Sequence, residues 1–353
     1  MYKKFFMGIA AMAALTLVSC SSEDLNSLSD NSSKNEAISF DGYLGRSAVA
    51  VNGSRGSVLD LTALQGENGG FGVFGNYKET DGLEFGSNWF DNVKVTYSNA
   101  DTKWTYSPVQ YWLPQGHIDF LAYAPYDSKY NKKVTNDNQG LNFIVSPTIK
   151  DQKDLLWAKA TNQTMANNSG TDKKVKFQFA HALSRLGYTV KLNKEYTSTT
   201  ITLNKITLAG SEDGAQKAFY PNGTINLSTG IWTPSTTDEK LKFEWFTTTS
   251  GTELSTKEAV NAADNYLFVI PQNFSASETD KLYVIVEYTI KGYNGVTTPM
   301  TNTVSSQIVK NFEQGKAYTI NLTIGLTPIE FDAAVTDWVD AKNPNNDIPV
   351  TWN

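Results

Sequence analysis

The segment AISFDGYL, residues 37–44, shows the pattern that recurs through most of the chain. One parity carries the apolar side chains of Ile38, Phe40 and Leu44, and the other parity carries polar side chains. An alternation with a period of two predicts a strand with one buried face and one wet face.

The same period recurs in further segments of the chain. The clearest are residues 93–97, 118–123, 175–179 and 282–290. Turn clusters rich in Asn and Gly lie between such segments, at residues 67–70, 138–140, 221–223 and 293–295. Short strands separated by polar turns predict packed antiparallel sheets, and long crossover helices for a deep parallel sheet are missing. Residues 257–263 are the best candidate for a short helix.

The composition excludes several classes of function. The 353 residues carry a formal charge of −6, which becomes −8 if Lys3 and Lys4 leave with an export segment, so a nucleic-acid partner is not expected. Cys20 is the only cysteine, and His117 and His181 are the only histidines. The chain therefore has too few Cys and His residues for an internal disulfide, for thiol catalysis or for most metal sites. With 18 Phe, 17 Tyr and 8 Trp, the chain has the composition of an extracytoplasmic β protein. We expect no enzymatic activity and no cofactor.

Residues 1–19 have the features of a secretory signal. Two lysines precede an apolar run over residues 5–18, which is too short and too early for a lone membrane span. The sequence LVSC at 17–20 resembles a bacterial lipobox, which implies that Cys20 carries the acyl (palmitate) anchor; an ordinary signal peptide that happens to contain Cys is the alternative. Residues 20–36 are then a flexible, lipid-anchored tether. The acidic run that follows Cys20 resembles a surface-export signal of lipoproteins.

A polar stretch at residues 191–200 interrupts two strong strands and predicts a domain boundary. The expected division is an N-terminal β-sandwich over residues 37–193 and a C-terminal β-sandwich over residues 194–353. Each is large enough to fold independently.

Several local patterns, in this order and spacing, resemble the fimbrillin-like family of lipoprotein pilins and adhesins from Gram-negative anaerobes. They are GFGVF (70–74), WTYSP (104–108), YW (111–112), FLAYAP (120–125), DLLWA (154–158), FAHALSRL (179–186), LFVIPQ (267–272), GKAY (315–318), IEF (329–331) and DW (337–338). The resemblance implies an all-β chain of two tandem transthyretin-like antiparallel β-sandwich domains. It also implies a fimbrial (type V pilus) subunit or adhesin, exposed on the cell outer membrane.

Individual aromatic and polar residues within these patterns are expected to be structural. Burial is predicted for Trp104, Tyr106, Tyr111 and Trp112. His181 is expected to be a neutral, hydrogen-bonded core residue, and His117 to lie on a turn surface. The carboxylates of Asp332, Asp337 and Asp340 alternate with apolar residues and indicate the wet face of a strand.

The family resemblance also implies an assembly cycle. A lipidated precursor fills its own groove with an N-terminal strand, here with inward Ile38, Phe40 and Leu44, and a trypsin-like protease cuts behind that strand. Arg46 and Arg55 lie among Gly and Ser and are the cleavage candidates, although both could be ordinary loop arginines. Arg185, in a strand, should be protected.

The C-terminal end supplies two candidates for the strand that enters the vacated groove of another subunit. We expect residues 329–338 to close the second domain, and Ile348, Val350 and Trp352 to form the donor strand behind a polar linker. The reverse assignment stays open, because IEFD at 329–332 repeats the spacing of ISFD at 38–41.

A second class of function also fits the composition: an outer-membrane lipoprotein that binds glycans on exposed Trp and Tyr rings. A row of solvent-facing Trp would favour it. A secreted hydrolase is a third class of function, but no spacing in the sequence indicates the pair of carboxylates that a retaining glycosidase needs.

Overall fold

Strands make up nearly all of the regular structure in the computed structural model, which describes residues 36–44, 59–78, 89–135, 138–168, 173–262, 265–274 and 280–326, and the backbone alone of 330–337. The first strands are β1 (Phe40–Leu44), β2 (Phe71–Lys78), β3 (Phe90–Ser98), β4 (Lys103–Thr105), β5 (His117–Ala124), β6 (Gly140–Ile144), β7 (Leu156–Gln163) and β8 (Val175–His181). They are followed by β9 (Ser184–Leu192), β10 (Thr200–Ala209), β11 (Asn222–Asn226), β12 (Trp232–Pro234), β13 (Phe243–Glu253), β14 (Val260–Asn261) and β15 (Leu267–Val269). The last are β16 (Gln272–Asn273), β17 (Tyr283–Lys291), β18 (Met300–Gln307), β19 (Asn311–Phe312), β20 (Lys316–Ile324) and β21 (Glu330–Asp337).

Helical structure in the described residues is confined to short pieces. They are one α-helix, α1 (Leu61–Gln65), and 3-10 turns at Ser128–Tyr130, Ile149–Asp151, Ala166–Asn168 and Tyr293–Gly295. The α1 helix begins where the Asp60 side chain accepts a hydrogen bond from the Ala63 N–H at 2.6 Å, a normal N-cap. The all-β prediction is therefore confirmed, while the tandem transthyretin-like arrangement and the division at residue 193 stay predictions.

Five sheets form from these strands. A seven-stranded sheet has the order β1-β8-β7-β5-β2-β3-β4, and a five-stranded sheet has the order β14-β9-β20-β21, with β15 also paired to β9. The others are β13-β10-β17-β18, β12-β11-β6 and the pair β16-β19. Strand β9 thus pairs with strands from the C-terminal half of the chain.

Two pairings depart from the antiparallel prediction. Strand β1 runs parallel to β8, and β9 runs parallel to β20. Parallel neighbours need a long connection, and in both cases more than a hundred residues, including several strands, provide it.

Apolar side chains of the described residues form two buried clusters. One contains Ile38, Phe40 and the inward residues of the seven-stranded sheet, and the other extends through the remaining sheets. The predicted alternation at 93–97, 118–123, 175–179 and 282–290 falls in β3, β5, β8 and β17, so the period-two signal located these strands correctly.

The predicted helix at residues 257–263 is wrong over 257–262, the part that the structure describes. Ser255 Oγ accepts hydrogen bonds from the N–H groups of Lys257 and Glu258, at 3.1 and 3.0 Å, and so forms a local turn. Val260 and Asn261 then pair with the edge of β9. Pairing with β9 therefore supplies hydrogen bonds to backbone groups that a helix would have paired within itself.

Candidate functional site: the groove that holds the first strand

Strand β1 lies at one end of the seven-stranded sheet and pairs with β8. The register runs from Phe40 opposite Val175 to Leu44 opposite Phe179. Just before this ladder, the Val175 N–H donates to the Ser39 carbonyl at 2.8 Å. Without β1, the outer edge of β8 would have no partner in this sheet.

The other edge of the first strand is also hydrogen-bonded, through residues that precede β1. The Ile38 N–H donates to the Gln110 carbonyl at 2.8 Å, and the Trp112 N–H donates to the Glu36 carbonyl at 2.9 Å. Between these two bonds Ala37 forms an antiparallel bridge with Tyr111. The segment 36–44 is therefore held between β8 on one side and residues 110–112 on the other.

An aromatic box surrounds the most deeply buried ring of the first strand. Phe40 is 2% exposed. Its ring centroid lies 5.5 Å from Phe90, 5.2 Å from Tyr106, 5.3 Å from Phe120 and 5.6 Å from Phe177. Several of these pairs are edge-to-face or tilted, the geometry in which aromatic rings attract one another. Phe40 is therefore the main anchor of β1.

The groove is much shallower where it meets Gly42. A Cβ atom at that position would stand 3.0 Å from a ring carbon of Phe71 and 3.3 Å from one of Phe179. Those distances are tighter than ordinary contacts. Leu44, two residues further along the strand, packs against the cluster that contains Phe40 and is half-buried.

Tyr106 fastens the first strand through its hydroxyl group. That hydroxyl donates to the Ile38 carbonyl at 2.7 Å and accepts from the Gln110 N–H at 3.2 Å. Burial of the ring raises the pKa of Tyr106 to about 12, an effect that the hydrogen bond with Gln110 only partly offsets. At the start of the segment, Glu36 pairs with Lys173.

Leu59 is the first described residue after β1, and a buried carboxylate fixes its backbone. The Leu59 N–H donates to Asp154 Oδ2 at 3.0 Å. The same oxygen lies 2.8 Å from His181 Nδ1, at the end of β8. His181 is 9% exposed, so the prediction of a buried, hydrogen-bonded core histidine is confirmed.

The positions of the sequence-predicted site residues follow from this geometry. Ile38 and Phe40 are buried and Leu44 is half-buried, as the alternation predicted, while their role as a released strand is untested. Cys20, Arg46, Arg55, Ile348, Val350, Trp352 and Asp340 lie outside the described residues. Asp332 and Asp337 lie on β21, which pairs antiparallel with β20 of the same chain.

The predicted burial of the aromatic cluster near residue 110 is only partly correct. Trp104 and Trp112 are 7% and 4% exposed, and Tyr106 is half-buried. Tyr111 is 49% exposed, because the strand alternation that buries Trp112 turns its neighbour outward. The prediction for Tyr111 was therefore wrong.

Two further positions were assigned from local sequence. His117 was placed on a turn surface, but it is the half-buried first residue of β5, opposite Lys78 of β2. Arg185 lies in β9, paired with Phe268 and Ala317 on its two sides, and its guanidinium stacks 4.5 Å from the Tyr266 ring centroid.

Other kinds of site find little support in the described part of the chain. No group of three or more His, Cys, Asp or Glu side chains there could hold a metal ion. The tryptophans in these segments are buried or half-buried, and the exposed aromatic residues are Tyr43, Tyr111 and Tyr293. A row of solvent-facing tryptophan for glycan stacking is therefore not found among the described residues. Within the same segments, no helix has the length and apolar character needed to cross a membrane.

Comparison with known families agrees with the all-β architecture. A family model described as fimbrillin-like matches residues 63–338. The chain belongs to the fimbrillin-like family. A search of the curated proteins finds no match. Two solved structures extend the likeness of this fimbrillin-like chain to the fold.

The first is a fimbrial protein from Bacteroides vulgatus, with 20% identity, a TM-score of 0.64, and coverage of 86% of this chain and 100% of that one. The second is a candidate cell adhesion protein from Bacteroides ovatus, with 17% identity, a TM-score of 0.52, and coverage of 87% of this chain and 99% of that one. At these identities the likeness establishes a shared fold.

Sequence reasoning found the first strand but missed the parts of the site that receive it. The partner strand at residues 110–112, the Tyr106 hydroxyl and the shallow position at Gly42 come from long-range contacts. The only usable signal was indirect: a glycine stands at an inward position of an otherwise apolar alternation.

Proposed function

We propose that this fimbrillin-like chain is a surface lipoprotein that becomes a fimbrial subunit or adhesin when its first strand is cut away and replaced by a strand of another copy. The observation that carries the proposal is the seating of residues 36–44, which are hydrogen-bonded to β8 on one edge and, at residues 36–38, to residues 110–112 on the other, and which are anchored by Phe40. A segment seated in this way can be replaced only by another extended strand.

The physical drive for replacement comes from what the empty groove would expose. Loss of residues 36–44 would free the backbone edge of β8 and uncover the rings that surround Phe40. An unpaired strand edge beside an apolar groove is a template for strand addition, in which backbone hydrogen bonds supply affinity and side-chain pockets supply specificity. The intact precursor is protected from premature assembly because its own strand covers both.

Cleavage by a trypsin-like protease would separate the strand from the body. Arg46 and Arg55 follow β1 and precede Leu59, where the chain is fixed again by Asp154. A cut after either arginine divides the chain between the seated strand and the body. The alternative, that one or both are ordinary loop arginines, predicts that the strand stays attached.

The anchor and the donor complete the cycle. An acyl group on Cys20 would hold the precursor at the outer membrane through the tether that precedes Glu36, until cleavage releases the body for assembly. The donor would be the segment with Ile348, Val350 and Trp352, because β21 already has a partner in β20 of its own chain.

Deletion of residues 343–353 tests this function. The purified precursor and the deletion variant are each treated with an arginine-specific protease, and polymers are read as a ladder on unheated detergent gels. We expect the variant to keep the parent's melting temperature and to form no ladder, since the donor is lost while the groove stays filled until cleavage. A Thr351→Ala variant, changed at an outward position of the donor strand, should polymerise like the parent. A ladder from the deletion variant would overturn the donor assignment, and no ladder from the cleaved parent would overturn the proposed function.

A further inference from the structure

The groove of β1 has four inward positions of unequal depth, occupied by Ile38, Phe40, Gly42 and Leu44. The first two are deep, since Ile38 is 1% and Phe40 is 2% exposed. The third, which we call the closed position, disfavours a large side chain, because even a Cβ atom at Gly42 would stand 3.0 Å from a ring carbon of Phe71, tighter than an ordinary contact. Any strand that replaces β1 therefore meets a barrier two residues after the aromatic box.

Resting on the proposed function, we propose that this closed position fixes the register of the incoming C-terminal segment. Val350 takes the place of Ile38, and Trp352 takes the place of Phe40. Ile348 then lies at the position of Glu36, at the entrance of the groove. The occupant is thus the C-terminal segment of a second copy, in a single register.

Other registers that keep the same face inward are less favourable. A shift of two residues forward would put Trp352 at the Gly42 position, where even one methyl group is crowded. A shift of four would put the β-branched Val350 there. A shift of two backward would move Trp352 out of the aromatic box to the position of Ile38, and a shift of one would turn Ile348, Val350 and Trp352 outward.

The proline of the segment agrees with the proposed register. Pro349 falls at the position of Ala37, which bridges Tyr111. The two hydrogen bonds beside that bridge use the N–H of residue 38 and the carbonyl of residue 36, not the N–H of residue 37. Val350 and Ile348 can supply both groups, so the missing N–H of proline costs neither bond.

A second segment near the C-terminal end carries a comparable pattern. Residues 329, 331, 333 and 335 are Ile, Phe, Ala and Val, which places a small residue at the third position. The backbone of residues 330–337, however, already forms a ladder with β20 in the same chain, from Thr323 opposite Glu330 to Lys316 opposite Asp337. Entry into a neighbour's groove would break that ladder, so the C-terminal segment is the favoured occupant.

Disulfide trapping between copies tests the register. In the proposed register Asn353 takes the position of Asp41, which pairs with Lys176. Full chains in a Cys20→Ala background carry either Asn353→Cys or Lys176→Cys, and the two proteins are mixed, cleaved with an arginine-specific protease and run on heated non-reducing gels. We expect a disulfide-linked dimer that neither protein forms alone and that a reductant removes.

Matched positions report the competing arrangements. Gln178 pairs with Tyr43 in the precursor. Gln178→Cys would therefore form a disulfide with Asn353→Cys only if the segment were shifted two residues forward, so that residue 353 took the position of Tyr43. Asp332→Cys would link to Lys176→Cys only if residues 329–335 were the occupant. A link with either of these instead of the expected pair overturns the register. If the parent forms a ladder on unheated gels while the expected pair does not link, the inference fails and the proposed function stands; if the cleaved parent forms no ladder, both fail.

Two substitutions give a second readout without cysteines. Trp352→Ala should reduce the yield of polymer by about tenfold or more, because it empties the aromatic box. Ile348→Ala should change the yield less than threefold, since residue 348 lies at the entrance. In a register two residues forward, Ile348 would occupy the deep Ile38 position, so a large loss with Ile348→Ala would overturn the proposal.

Discussion

Replacement of Phe40 by alanine measures how firmly the first strand is held. The ring is almost fully buried and touches four other aromatic rings, with centroid distances from 5.2 to 5.6 Å. Truncation of a buried Phe to Ala typically costs about 3–5 kcal/mol, from lost transfer free energy and from the cavity that remains. We expect the full precursor to lose stability in this range, unless β1 detaches first, in which case the loss equals the free energy of docking of the strand.

The assay is denaturant unfolding of the uncleaved full chain, monitored by tryptophan fluorescence. The free energy of unfolding comes from the midpoint and the slope of each transition. Tyr43→Ala is the matched control, because Tyr43 belongs to the same strand but is 39% exposed, and its truncation should cost no more than about 0.5 kcal/mol.

A second comparison separates the seated strand from the rest of the fold. In the assembled polymer the groove is occupied by another copy, so Phe40→Ala should have no effect on the stability of the polymerised body. A loss below about 1 kcal/mol in the precursor, or equal losses for Phe40→Ala and Tyr43→Ala, would refute the view that the aromatic box anchors β1.

Three further predictions concern the anchor, the cleavage site and the tyrosine of the groove. Cys20→Ala should release the protein from the membrane fraction, whereas Ser21→Ala should leave it there; equal partitioning of the two would contradict the lipid anchor. Limited trypsin treatment should cut first at Arg46 or Arg55 by mass spectrometry, and the double variant with Gln at both positions should be neither cut there nor assembled. The folded pKa of Tyr106 is raised to about 12 from an ordinary 10, so its contribution to stability is complete below pH 10 and is lost as the pH rises towards 12. Unfolding of Tyr106→Phe between pH 10 and 12 should therefore show a weaker loss of stability than the parent, and identical slopes would contradict this assignment.

The sequence predicted those parts of the structure that depend on local pattern. The alternation of Ile38 and Phe40 predicted that both side chains face inward. The apolar strand around His181 predicted a buried imidazole, and a buried imidazole needs a hydrogen-bond partner, which the structure identifies as Asp154. The alternation of side chains between two faces follows from the geometry of a single strand, so it does not depend on which partner the strand pairs with.

Features that depend on distant partners were not predictable in the same way. The parallel pairing of β1 with β8 joins residues about 135 positions apart, as for Phe40 and Val175, and no local pattern encodes that choice. Tyr111 was misassigned because burial was inferred for all four aromatic residues from their spacing around a proline turn, whereas the bridge of Tyr111 to Ala37 decides which ring of the pair 111–112 faces out. At residues 257–263, a serine-capped turn and the edge of β9 outweighed a weak helical preference.

Amide hydrogen exchange along β8 tests the central claim most directly. The N–H groups of this strand that face β1 are protected in the precursor by the ladder between Phe40–Leu44 and residues 175–179. Exchange is measured residue by residue over 175–181 in the precursor, in freshly cleaved monomer held dilute, and in polymer. We expect slow exchange in the precursor and fast exchange in the cleaved monomer. In the polymer, slow exchange should return for the Val175 N–H, whose acceptor in the precursor is the Ser39 carbonyl, because Thr351 takes the position of Ser39 in the proposed register. Unchanged protection of β8 in the cleaved monomer, or fast exchange of the Val175 N–H in the polymer, would contradict release of the first strand and its replacement by another copy.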